Sequence, residues 1–178
     1  PLFAAYQPVP TLSMGTIIAV LGGIIAPISL FKASIVFAWS LMPCAWYCGA
    51  RWYGLPRLFS LFLGLLTLTV HDPFSIGFGI RSATERGLYT QHFGLLFLPL
   101  FMGAFQQMMT GEKKRVLPAS ALFALTAMSH LWVGLYAGIM ALTWTLVTPK
   151  RWREYAIPLA RFSFCCAAML GWWIIPLL

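Results

Sequence analysis

Residues 116–147 form a long apolar stretch with Ser129-His130 in its middle and a basic cluster at each end. Lys113, Lys114 and Arg115 precede it, and Lys150, Arg151 and Arg153 follow it. Lysine and arginine beside membrane segments favour the cytoplasmic side, so a single span would split the two clusters across a bilayer. A helical hairpin keeps both on one side. The expected arms are residues 118–128 and 131–147, and the turn carries His130 toward the opposite face. The first arm covers only about 16 Å at 1.5 Å per residue, roughly half of the hydrocarbon core. Such a turn must be buried in protein or line a wet cavity, because lipid leaves irregular backbone unsatisfied.

The bilayer follows from composition. Hydrophobic residues make up 60% of the chain and charged residues 9%, far below the roughly 25% charged content of soluble domains. With a mean hydropathy of +0.82, this is the composition of an integral membrane protein. The net charge of +8 does not point to nucleic acid, because the basic residues sit in short clusters between apolar runs. There they set orientation and meet anionic lipid headgroups. The chain opens at Pro1 without a charged n-region or cleavage site and stops inside the apolar run of residues 171–178. The expectation is one transmembrane domain over residues 1–178, a fragment of a longer chain.

Residues 1–11 are Pro-rich and carry Phe3 and Tyr6, and Pro8 and Pro10 lack amide donors. They read as an ordered loop or interfacial segment and not as the start of a span. An apolar helix follows over residues 12–25 and is broken or kinked by Pro27 before Lys32. Residues 33–50 are long enough to cross and end at Arg51, and Arg51 and Arg57 bracket a turn. Residues 58–70 form a short helix that meets His71-Asp72-Pro73, after which residues 71–86 are a polar loop with charges of both signs. Residues 88–109 are expected to be the clearest full span, and a last span begins near Phe162. In this alternation Arg51, Arg57, Lys113, Lys114, Arg115, Lys150, Arg151, Arg153 and Arg161 all fall on one side. The fold class is therefore all-α, a polytopic transmembrane helical bundle with short or re-entrant helices. The tryptophans fall mostly near span ends, where indole anchors at the interface.

The same topology gathers His71, Asp72, Arg81, Glu85, Arg86, His92 and His130 on the non-cytoplasmic side. Ionisable groups at membrane depth need a partner or a purpose. Asp72 or Glu85 could act as a general base or hold a divalent cation, while Arg81 and Arg86 could clamp a phosphate by bidentate hydrogen bonds. The plainer alternative pairs Glu85 with Arg81 or Arg86 on a solvated loop. His92, next to Gln91, is expected to face a cavity or to serve as a structural hydrogen-bond partner. Axial ligation of a haem or pigment by His92 and His130 is the lesser reading without a repeated His pattern. No zinc-ligand spacing links the His and Cys residues. Cys44 and Cys48, at i and i+4, suit small apolar fillers better than a disulfide, and Cys165 and Cys166 lie inside a span.

The order of elements resembles a known group. The opening from Pro1 through Pro10 looks like the end of the first external loop of multi-spanning GT-C-type glycosyltransferases. The pattern of basic cluster, short helix, Ser129-His130, helix and basic cluster resembles their paired helices. The terminal Gly171-Trp172-Trp173-Ile174-Ile175-Pro176 is similar to a segment of bacterial membrane proteins related to 6-pyruvoyl-tetrahydropterin synthase. The resemblance implies a transferase that takes a sugar from a polyprenyl-phosphate donor at the non-cytoplasmic face of a bacterial inner membrane. Its key acid would lie in the first external loop, before Pro1, so no catalytic acid carries over. Asp72, Glu85 and His130 stand as the catalytic candidates, and Arg81, Arg86 and His92 as the substrate-binding ones. The cofactor is open between none and a divalent cation, and the partners would be lipid, a lipid-linked sugar donor and other membrane subunits. The alternative is a non-enzymatic subunit of a larger photosynthetic, respiratory or transport complex.

Overall fold

The computed structural model describes residues 7–69, 89–147 and 152–175. Among them are seven α-helices: α1 (Pro8–Leu21), α2 (Pro27–Tyr53), α3 (Arg57–Thr69), α4 (Tyr89–Met109), α5 (Val116–Ser129), α6 (Leu131–Val147) and α7 (Trp152–Ile174). A short 3₁₀ turn, Lys113–Arg115, precedes α5. No strand occurs among the described residues, in keeping with the all-α expectation.

Prolines place several helix starts. Pro8 opens α1 and Pro27 opens α2, positions where the missing amide hydrogen breaks no helical bond. The opening expected to be loop through Thr11 is therefore helical from Pro8 onward, and of the break or kink expected by Pro27 the chain shows a break, with α1 ending at Leu21 and Pro27 starting α2. Similarly, α7 begins at Trp152 and runs straight through Pro158, well before the expected start near Phe162. The break in the long apolar stretch falls where the sequence placed it. His130 alone is extended, at φ −159° and ψ 115°, between the end of α5 and the start of α6.

Pairwise contacts fix the directions. The α2–α3 turn uses Gly54 at φ +102°, a left-handed conformation that suits glycine. Gly64 of α3 then comes back against the backbone of Pro43 in α2. The helices α2 and α4 run parallel, with Phe31 against Tyr89 at one end and Gly49 against Pro99 farther along. The chain reverses again into α5, whose Phe123 lies 5.2 Å from Phe101. The helices α5 and α6 are an antiparallel hairpin, because Gly134 meets Ala127 and Gly138 faces Phe123. Finally α7 runs alongside α5, where Ser120 Oγ donates to the Phe162 carbonyl at 3.4 Å and Leu170 and Trp173 pack on Ala124 and Ala127.

Two ends result. One holds the α2–α3 turn, the α4–α5 turn and the start of α7, and with them Arg51, Arg57, Lys114 and Arg115. There the Arg115 guanidinium lies 5.5 Å over the Trp52 ring, joining two turns that are distant in sequence. The other end holds the start of α4, the Ser129-His130 turn and the end of α7. Between them, α4 is the central helix: Phe101, Ala104, Phe105 and Met108 are almost fully buried against α5, α6 and α7.

The central position of α4 corrects one expectation. Among the described residues the helices long and apolar enough to cross a membrane are α2 and the Glu154–Ile174 part of α7, not α4. Gln91, His92, Gln106 and Gln107 lower the hydropathy of α4, and neighbouring helices cover its apolar side chains. Its length, about 31 Å at 1.5 Å per residue, still matches the hydrocarbon thickness. The outer faces of α1, α3 and α6 carry exposed Leu, Ile, Val, Phe and Trp, a surface made for lipid rather than water.

Candidate functional site

The hairpin tip is a polar point inside an apolar bundle. Thr126 and Ser129 at the end of α5 have no exposed surface, and His130 is 9% exposed. Locally the turn is satisfied: the His130 amide donates to the Thr126 carbonyl at 3.1 Å, and the Gly134 amide donates to the His130 carbonyl at 3.0 Å. The Thr126 hydroxyl donates to the Leu122 carbonyl at 2.7 Å. The side chains at the tip differ, because Ser129 Oγ and His130 Nδ1 are buried without a hydrogen-bond partner. A buried polar atom left unpaired costs about 1–3 kcal/mol, so two on consecutive residues suit a polar ligand.

Gly94 lets the tip dock on α4. A Cβ there would lie 3.1 Å from Val133 Cβ and 3.2 Å from His130 Cβ, tight enough that the tip would have to shift. His92 precedes Gly94 by two residues, about 200° around the helix. It therefore falls in register with Pro99 and Gly103, the positions that meet α2, and is only 1% exposed. His92 and His130 thus share a level of the bundle but occupy opposite faces of α4. Axial ligation of one metal by the pair, considered from sequence, does not fit that placement. Among the described residues no three His, Cys, Asp or Glu side chains gather as metal ligands.

Four other candidates, Asp72, Arg81, Glu85 and Arg86, lie outside the described residues, as does His71. By chain order they belong between Thr69 of α3 and Tyr89 of α4. The described part of the site can hydrogen-bond a phosphate oxygen or a sugar hydroxyl through Ser129 and His130, and an imidazole can carry a proton.

Sequence reasoning passed over two features. Ser129 counted in the sequence only as part of the turn, and its burial without a partner shows only in the structure, because it depends on how α4 and α7 cover the tip. Cys44 and Cys48 were read as fillers, yet both are exposed and line a groove between α2 and α3, because their face of α2 points away from α4. Cys166 is buried and Cys165 half-buried, as expected for residues within a packed helix.

No curated protein and no solved structure matches the chain. A family model described as 6-pyruvoyl-tetrahydropterin synthase related domain, a membrane protein, matches residues 6–178. That span covers every described helix, from α1 with its proline start to α7 with its Trp-rich end. With this match and its lipid-suited surface, the chain belongs to the 6-pyruvoyl-tetrahydropterin synthase-related family of membrane proteins.

Proposed function

We propose that the protein is a GT-C-like membrane transferase that moves a sugar from a polyprenyl-phosphate donor, at the face holding His130. The observation that carries this reading is the buried pair of unpartnered atoms, Ser129 Oγ and His130 Nδ1, at the turn of a short-armed hairpin. In this reading Ser129 and His130 hydrogen-bond the sugar or its acceptor, and Arg81 and Arg86 neutralise the departing phosphate. Asp72 or Glu85 takes the acceptor proton as the acceptor oxygen attacks the anomeric carbon, directly or with a divalent cation. The basic end then faces the cytoplasm, and a bacterial inner membrane is the expected setting.

The test uses the full-length protein in lipid nanodiscs with radiolabelled polyprenyl-phosphate sugars. Donor binding that falls at least tenfold in Ser129→Ala and Arg81→Ala, with the melting temperature kept, supports the reading. Unchanged donor binding in both variants removes it.

A second reading, an accessory subunit of a larger membrane complex, is favoured by α1. Gly15 and Ala19 stand four residues apart on α1, are exposed, and a Cβ at Gly15 would meet nothing within 4 Å. Small residues in such a row let helices approach closely in a bilayer. Gly15→Leu would then release a co-purifying subunit, with no sugar-donor binding in either wild type or variant.

A further inference from the structure

A groove of about 630 Å³ runs along the seam between α2 and α3 on the bundle surface. At Gly64 the two helices touch, and a Cβ there would stand 2.7 Å from the Pro43 carbonyl oxygen. Its walls are apolar, formed by Leu58, Leu61 and Leu65 of α3 and by Tyr47 and the two exposed cysteines of α2. Its end by the α2–α3 turn carries the one charged lining residue, Arg57.

Three observations specify an occupant. First, Arg57 is the first residue of α3, so its guanidinium shares the groove mouth with the free amide hydrogens of the first helical turn. A helix N-terminus and an arginine together favour an anion, most of all a phosphate. Second, Arg57 makes no ion pair among the described residues, while Glu112 at the same end of the bundle pairs with Arg115 at 3.5 Å and Lys114 at 4.0 Å. Third, Arg57 is the one charged residue lining the groove, the rest being mostly apolar with Tyr47 and the two thiols, and α3 also exposes Phe59, Phe62 and Leu68 to the surroundings. An occupant must therefore be apolar along its length and anionic at one end.

We propose that this groove binds one anionic phospholipid, with an acyl chain along the α2–α3 cleft and the phosphate on Arg57 at the start of α3. The site lies at the basic end of the bundle, opposite His130, and is distinct from the proposed donor site. It rests on the membrane placement of the chain and not on the transferase reading.

Native mass spectrometry of the full-length protein, released from nanodiscs of equal phosphatidylglycerol and phosphatidylcholine, tests the site. The wild type should retain one phosphatidylglycerol in preference to phosphatidylcholine. Arg57→Ala should lower that retention about fivefold, the effect of one basic contact to an anionic headgroup, while Arg57→Lys keeps most of it. Cys44→Trp, which fills the groove and spares the charge, should also expel the lipid. Arg161→Ala removes an exposed charge outside the groove and should change nothing. Equal retention of the two lipids, unchanged retention in Arg57→Ala or Cys44→Trp, or an equal loss in Arg161→Ala would each overturn the proposal. Because Arg57→Lys and Cys44→Trp perturb the site in different ways, misfolding of one variant leaves the other to decide.

Discussion

At Gly134 the two arms of the hairpin come closest: a Cβ there would lie 2.7 Å from Ala127 Cβ and 2.6 Å from Ala127 Cα. Even one methyl group must push α6 off α5. Gly134→Ala should therefore destabilise the protein by about 1–3 kcal/mol, the usual cost of overpacking, read as a lowered unfolding midpoint in detergent. Gly15→Ala, with nothing within 4 Å, should stay within about 0.5 kcal/mol of wild type. If both variants unfold alike, the close contact is not real. Ser129→Ala works in the other direction. It deletes a buried hydroxyl with no partner, so stability should hold or rise by up to about 1 kcal/mol while any polar ligand binds less well. A loss of stability instead would show that the hydroxyl is structural.

Among the elements, the hairpin decides the topology. Its directions put Arg57, Glu112 and Lys114 at one end and Leu131 at the other, although α5 and α6 alone are each short for a bilayer. Cysteines placed one at a time at Arg57, Glu112 and Leu131, with the four native cysteines replaced, should separate under a membrane-impermeant maleimide. Positions 57 and 112 should label from the same side, and position 131 should not label with them. Labelling of position 131 from the same side as position 112 would break the hairpin. The contact of Arg115 with Trp52 links the α2–α3 and α4–α5 turns, and a cation over an indole at an exposed site contributes about 0.5–1 kcal/mol. Arg115→Ala should lower the unfolding free energy by that amount, and Arg115→Lys by less. Much of this level was readable from sequence. The break at His130, the short helix after Arg57 and the clustering of Arg51, Arg57, Lys114 and Arg115 all follow from local apolar runs and the charges between them.

For the molecule as a whole, the outward faces are apolar. Phe164 of α7 is 75% exposed, and in water its replacement by a charge would be neutral or solubilising. In a bilayer the same change is costly. Phe164→Arg should weaken insertion by about 2.5–3.5 kcal/mol if the position lies near the bilayer centre, measured as the membrane-integrated fraction in a translocation assay. Normal insertion would contradict a lipid-facing α7.

Composition and charge spacing were enough to determine that the chain is a helical membrane protein with its basic turns together. These signals are local: apolar length sets a helix, and a proline, glycine or charge ends it. What the tertiary structure alone decided depends on which faces meet. It made α4 the covered centre although its glutamines and histidine lower its hydropathy, and it set His92 and His130 on opposite sides of that helix. It also turned Cys44 and Cys48 outward into a groove that ends at Arg57. No periodicity in the sequence encodes those choices, because each arises from contacts between segments far apart in the chain, where small residues such as Gly49, Gly94 and Gly134 fix how closely two helices approach.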